Sequence, residues 1–187
     1  MARRIIGIDP GLTRCGVAVV EVEANRSAKF IAVDTIRTAP SQELAKRINE
    51  ISLQLEALFD LHKPDLIAIE RVFAQHNLRT VMGTAQISGV VMLLAERRGI
   101  QIQMHTPTEV KAAVTGSGRA AKLQVGTMVA KILGLNEIPK PADSADALAI
   151  AITAGWRPNS NASDGQLTKA QLAWQSAAAA SKKKAGN

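Results

Sequence analysis

The chain has 187 residues, of which 47% are hydrophobic and 21% charged. This composition excludes wholesale disorder and leaves room for one domain with a remainder. The longest apolar runs, such as residues 89–95, fall short of the roughly 18 to 20 residues of a membrane span. The N-terminal residues also lack the pattern of a secretory leader. We therefore expect a soluble, cytoplasmic protein without membrane contact. The formal net charge of +7 is shared between the body and the residues after Trp156 and favours a polyanionic partner. The single cysteine, Cys15, excludes an internal disulfide and a cysteine-rich zinc site.

Three strands are predicted at the start of the chain, over residues 3–9, 16–23 and 28–37. The sequence Asp9-Pro10-Gly11 is typical of a turn, with proline in the second position and glycine in the third. Because the connections between the three segments are short, we expect the strands to pair as an antiparallel meander.

Helices and strands alternate in the rest of the body. A helix is predicted from the spacing of Leu44, Ile48, Ile51, Leu55 and Leu58, with Ser41 as a possible cap and Pro64 as its end. A strand over 65–70, a helix over about 80–97 and a strand over 100–104 follow. Thr106 to Glu109 has the pattern of a capping box at a helix start, and two more helices follow, the last over about 143–153. The order predicts an α/β fold in which helices flank a mixed five-stranded sheet.

The C-terminal segment lacks an apolar pattern. Residues 159–165 are typical of a linker, residues 167–180 of a transient alanine-rich helix, and Lys182-Lys183-Lys184 lies close to the end. We therefore predict a folded domain over residues 1–156 and a flexible basic tail over residues 157–187, with Trp174 as the tail residue most able to dock on the body.

Four carboxylates occupy positions where chemistry is expected. Asp9 and Glu70 each close an apolar strand, while Asp143 and Asp146 lie three residues apart at a helix start and share one face. Clustered carboxylates repel one another unless a cation neutralises them, and all-oxygen ligands favour Mg²⁺ or Mn²⁺, the ions of two-metal phosphodiester hydrolysis. Spacing alone leaves other roles open: a turn for Asp9, an ion pair with Arg71 for Glu70, and helix capping for the two others.

Four blocks of sequence, over residues 6–16, 69–73, 110–119 and 142–149, resemble the RuvC-type Holliday junction resolvases, which have a ribonuclease H-like fold. The blocks stand in the family's order and spacing across about residues 3 to 156. The resemblance implies that Asp9, Glu70, Asp143 and Asp146 are catalytic metal ligands, with two Mg²⁺ per subunit and Mn²⁺ as a substitute. Some members have histidine in place of Asp143, and a histidine found in many members near the end of the last helix is absent here, where residues 153–156 read Thr-Ala-Gly-Trp.

The resemblance also implies contacts with DNA. Between positions 71 and 122 the chain has seven lysines and arginines against two acids, Glu96 and Glu109. In the family, the equivalents of Lys111 and Lys122 lie near DNA phosphates, and the equivalent of Phe73 stacks on bases at the crossover. The expected DNA-binding residues are Phe73, Arg71, Arg79, Lys111, Arg119 and Lys122. Without the resemblance, a solvated surface would explain any one lysine, and a core role would explain Phe73.

The function implied by the resemblance is paired, metal-dependent nicking of two opposed strands of a four-way junction, with 5′-phosphate and 3′-hydroxyl ends, in recombination and repair. A homodimer and cooperation with the RuvA–RuvB branch-migration motor are implied as well. The small residues Gly83, Ala85, Gly89 and Val90 could pack against a second subunit or against the sheet. An actin-like phosphotransferase, which nucleotide binding would reveal, and a noncatalytic junction-binding module, which absence of cleavage would reveal, are the alternatives.

Overall fold

A mixed five-stranded sheet lies at the centre of the computed structural model, which describes residues 2–71 and 78–157, with the side chains of 78–80 excepted. Its strands are β1 (Arg3–Asp9), β2 (Arg14–Val22), β3 (Ala28–Arg37), β4 (Leu66–Glu70) and β5 (Gln101–His105). The strand order is β3-β2-β1-β4-β5. The first three strands pair antiparallel, as predicted, and β1–β4 and β4–β5 pair parallel. The predicted α/β fold class is confirmed.

In the described part of the chain, five helices cover the two faces of this sheet: α1 (Leu44–His62), α2 (Leu78–Arg97), α3 (Pro107–Thr115), α4 (Lys122–Leu133) and α5 (Ala142–Trp156). Side chains alternate along the strands, so that Ile6 and Ile8 pack in a core with α1 and α2, whereas Ile5 packs on the opposite face with α3, α4 and α5. Cys15 is a free, buried cysteine. Among the described helices, none is long and apolar enough to cross a membrane.

Helix boundaries agree with the sequence patterns at most places. The capping box of α3 is present, since the Thr106 hydroxyl accepts from the Glu109 backbone N–H and the Glu109 carboxylate accepts from the Thr106 N–H. The predicted cap of α1 is wrong, because the helix begins after Glu43 with no side-chain cap, two residues beyond the start that Ser41 would give. The last helix is longer than predicted and ends at Trp156.

Helix α5 lies against the strands at very short range. Residues 147–154 are all buried, and most of them are small. A Cβ atom added to Gly7 would lie 2.2 Å from the Ala147 carbonyl oxygen, and one added to Gly16 would lie 2.3 Å from the Asp143 carbonyl oxygen. Both distances are too short for any side chain larger than hydrogen. Two strand glycines therefore allow the start of α5 to approach the ends of β1 and β2, and this approach positions the candidate site.

The described part of the chain ends at Arg157, the last residue of the compact unit Met1–Arg157. Of the predicted tail, only Arg157 is described. Phe73 and residues 158–187, which include the linker, the alanine-rich segment, Trp174 and the lysine cluster, lie outside the described residues.

Candidate active site

Two of the predicted carboxylates lie side by side at one edge of the sheet. Strands β1 and β4 are parallel neighbours, with Ile8 paired with Ile69, so Asp9 and Glu70 both follow at their carboxyl ends. Each acid shares the strand face that α5 covers, because side chains at alternate positions point to the same side. Burial raises the pKa of Glu70, and Asp146 raises it further.

The other two carboxylates come from the first turns of α5 and complete the cluster. Burial is the largest cause that raises the pKa of Asp9 to about 7, and the charges of Glu70, Asp146 and Asp143 add to it in that order. The structure therefore brings together all four acids that the sequence singled out. Burial is the main cause of the raised pKa values of Asp9 and Glu70, and the neighbouring carboxylates add to it, so both groups are less acidic than free carboxyls.

Two cations contact the cluster. Lys122 Nζ lies 3.0 Å from Asp146 Oδ2, and Arg14 Nε lies 3.1 Å from Asp143 Oδ2. The bond to Asp146 raises the pKa of Lys122. Among the described residues, no three or more histidine, cysteine, aspartate or glutamate side chains stand close enough together to hold an ion as they are arranged here. The donor set nevertheless fits a hard divalent cation, because it is made of carboxylate oxygens with excess negative charge.

Pockets open on both sides of Asp9. One, of about 260 Å³, is lined by four apolar residues of α3, α4 and α5 and by Asp9, Glu70, Lys111, Lys122 and Asp146. The second, of about 460 Å³, is formed by the turn after β1 together with α1, α2 and the start of α5, and its lining includes Asp9, Arg14, Arg47 and Asp143. An extended polyanion that crosses the carboxylates could thus meet cations on either side of them.

The comparison with known families decides the assignment. A family model described as crossover junction endodeoxyribonuclease RuvC matches residues 5–154. The chain belongs to the RuvC family. The chain is 60% identical to the crossover junction endodeoxyribonuclease RuvC of Clavibacter sepedonicus over 154 residues, which are 82% of this chain and 76% of the relative. It is 53% identical to that of Renibacterium salmoninarum over 182 residues, which are 96% and 94% of the two chains.

Solved structures of the RuvC family agree with this assignment. A structure of Thermus thermophilus RuvC in complex with a Holliday junction substrate matches with a TM-score of 0.77 and 33% identity, over 81% of this chain and 92% of that chain. The match confirms the ribonuclease H-like arrangement of sheet and helices. RuvC proteins are Holliday junction resolvases, and the family assignment therefore disfavours the phosphotransferase alternative for this chain.

The predicted DNA-binding residues of this RuvC chain occupy different surroundings. Lys111 and Lys122 both line the pocket that contains Glu70. Arg71 is exposed directly after β4, and Arg119 is exposed in the connection between α3 and α4. Arg79 belongs to α2, but its side chain, like Phe73, lies outside the described residues. The structure thus brings two of the six predicted residues to the carboxylates.

Two arginines at the candidate site were missed by the sequence analysis. Arg14 begins β2 and was read only as part of the first block. Arg47 is buried in α1, and a signal for it exists, since it stands four residues before Ile51 on the apolar stripe that continues to Leu55 and Phe59. Within residues 153–156, the segment that lacks the histidine, the buried Thr153 donates to the Ala149 carbonyl of α5.

Proposed function

We propose that this chain is a metal-dependent endonuclease that cuts two opposed strands of four-way DNA junctions. The observation that carries the proposal is the gathering of Asp9, Glu70, Asp143 and Asp146 at one sheet edge, with Lys111 and Lys122 in the adjoining pocket. The junction as substrate is supported by the Thermus thermophilus relative, whose structure contains one.

The four carboxylates are proposed to hold Mg²⁺, two ions per subunit, with Mn²⁺ as a substitute. When bound, such ions supply an activated water and stabilise the leaving oxygen. Asp9 and Glu70 act here as anions, so the raised pKa of Asp9 in the metal-free protein must fall as the site fills. Lys122 and Arg14 would then release carboxylate oxygens and become available to DNA phosphates.

The basic side chains are proposed to bind and orient the strand. Lys111 and Lys122 lie beside the carboxylates and can contact phosphates close to the scissile bond. Arg71, Arg79 and Arg119 would hold more distant phosphates, and Phe73 would stack on bases at the crossover. In-line attack of water on this phosphate, with departure of the 3′ oxygen, leaves the 5′-phosphate and 3′-hydroxyl ends that a ligase seals.

A homodimer is proposed to place two such sites on one junction. Helix α2 exposes Met82 and Leu93, whose exposed fractions are 59% and 51%, and Gly89, beside which a Cβ would meet no atom within 4 Å. Gly83, by contrast, faces Leu12 within the same subunit. A two-fold axis along the exposed stripe would present equivalent sites to two opposed strands. Cooperation with the RuvA–RuvB motor in recombination and repair completes the proposal.

The test is cleavage of a synthetic four-way junction by the purified full-length chain, with the four strands labelled in turn. We expect symmetric nicks in two opposed strands with Mg²⁺ or Mn²⁺, none with chelator, and products that a ligase reseals. A linear duplex of the same sequence is the control and should stay intact. Equal cutting of duplex and junction, or junction binding without cutting, would contradict the proposal.

A further inference from the structure

Arg47 is a buried cation without an acidic partner in the described residues. Its exposed fraction is 9%. Its Nε donates to the Thr38 hydroxyl at 2.9 Å, and its Nη2 donates to the Thr13 hydroxyl at 2.8 Å. A guanidinium carries five N–H donors and stays protonated in proteins. The two threonine hydroxyls accept from only two of these donors, and because they are neutral they do not balance the positive charge of the guanidinium.

The remaining donors of Arg47 lie at the edge of a pocket. The residue lines the 460 Å³ pocket beside Asp9 and Asp143, together with the turn after β1. No described residue accepts a hydrogen bond from its Nη1, and this atom is not fully buried. The guanidinium is therefore fixed by two threonines and still reachable from the pocket.

The two threonines hold the guanidinium in one orientation. The Thr38 hydroxyl that accepts from Arg47 donates in turn to the Leu12 carbonyl at 2.5 Å, and the Thr38 backbone N–H donates to the Thr13 carbonyl at 3.1 Å. These bonds connect α1 and the end of β3 to the turn that carries Asp9. Arg47 is consequently pre-organised relative to the catalytic carboxylates, which lowers the entropy cost of binding an anion.

We propose that this pocket is a subsite for a backbone phosphate of the DNA strand, held by Arg47 and completed by Arg14. The inference rests on the proposed nuclease function and adds to it a phosphate contact on the side of Asp9 opposite Lys111 and Lys122. Arginine suits this task because its planar donors match two phosphate oxygens at once. Arg14, whose side chain is 57% exposed, pairs with Asp143 in the free protein and supplies a second, movable cation.

The first experiment measures DNA binding without divalent metal, so that it does not depend on cleavage. Arg47→Gln retains a side-chain donor for the two threonines and removes the charge. We expect about a three- to tenfold loss of junction affinity and a salt dependence reduced by about one phosphate contact. Arg98→Gln is the matched control, since Arg98 pairs with Asp60 and Glu56 instead of lining this pocket. Both variants should show native circular dichroism.

The second experiment locates the phosphate. Single neutral methylphosphonates replace, one at a time, the phosphates on either side of the cleavage site. At one position we expect the methylphosphonate to cost Arg47→Gln clearly less affinity than it costs the wild-type chain, because only Arg14 still contacts that phosphate, whereas losses elsewhere should add. If Arg47→Gln folds poorly, Arg47→Lys takes its place, with partial loss and the same coupling at that position expected.

Additive losses at every position, or wild-type affinity of the Arg47 variants, would overturn the inference and leave Arg47 as a structural residue. Failure of the wild-type chain to cut junctions would contradict the proposed function instead. The coupling measured in the binding experiment does not depend on that result, so the two failures are distinguishable.

Discussion

Lys122 Nζ lies 3.0 Å from Asp146 Oδ2, so a residue expected to hold DNA contacts a residue expected to hold metal. The ammonium also lowers the pKa of Asp9, against the burial and the neighbouring acids that raise it. In the metal-free protein Lys122 thus acts as an internal counter-ion of the cluster. On the proposed function, metal and DNA binding would be coupled through this contact, because Lys122 must leave Asp146 to reach a phosphate.

Loss of the Lys122 charge should therefore change the affinity for Mg²⁺ and the affinity for DNA in opposite directions. Lys122→Gln removes a cation that competes for Asp146, so we expect Mg²⁺ to bind the DNA-free protein about two- to tenfold more tightly. Junction affinity should fall, with a shallower salt dependence. Calorimetric Mg²⁺ titration and fluorescence anisotropy measure the two effects. Lys131→Gln, on the exposed side of the same helix, is the control and should change neither.

The pKa of Asp9 predicts how the metal-free protein responds to pH. The folded-state pKa of about 7 lies above the unfolded value of 3.8, so the folded state binds more protons between these values. The free energy of unfolding should therefore fall as pH rises through this window. Asp9→Asn carries no charge and should be more stable than the wild type by about 1–3 kcal/mol at neutral to alkaline pH. Thermal melts in chelator across this range measure the difference, which should vanish at low pH.

The buried His105 predicts a pH effect of the opposite sign. Burial lowers its pKa to about 4, and neither ring nitrogen has a hydrogen-bond partner among the described residues. The unfolded chain takes up its proton near pH 6.5, so this group's contribution to stability is lost as pH falls from there towards 4. His105→Phe removes the unsatisfied nitrogens and should be about 1 kcal/mol more stable at neutral pH. Urea denaturation at neutral pH and near pH 5 should show a gap that widens on acidification; an unchanged gap would contradict this account.

The C-terminal tail is predicted to be dispensable for the domain. Deletion of residues 158–187 keeps Arg157, whose guanidinium lies 3.2 Å from Glu109 Oε1 at the start of α3. We expect the melting temperature, the dimer and metal-dependent cleavage to persist. DNA affinity at low ionic strength should fall modestly, because the lysines near the end are lost. A melting temperature lowered by more than a few degrees would show that the tail, through Trp174 or otherwise, is part of the fold.

The sequence predicted the sheet because its signals are local. The short connections between β1, β2 and β3 and the capping box at Thr106 depend on neighbouring residues, and the antiparallel meander and the helix start that they predicted were confirmed. The boundaries of α5 were predicted less well, because a helix buried on all sides has no polar face to mark its periodicity. Ser41 failed as a cap since the chain enters α1 only at Glu43, without a side-chain bond.

The candidate site was predicted in part for the same reason. Strand ends and a helix start singled out the four acids, and the fold brings them together. The ion pairs of Arg14 and Lys122 join residues far apart in the chain, which no local pattern encodes. Arg47 stood on an apolar stripe, where a charged residue is unusual, but only the packed turn after β1 shows what it faces.

The central claim is that the four carboxylates perform the chemistry while the basic residues supply the affinity. Single-turnover cleavage of a four-way junction with Mg²⁺, measured beside junction binding, tests it most directly in Asp9→Asn, Glu70→Gln, Asp143→Asn and Asp146→Asn. We predict that each variant loses cleavage by at least about a hundredfold and keeps junction affinity within about threefold of the wild type. Cleavage at the wild-type rate by any of these variants would remove that residue from the active site and contradict the account.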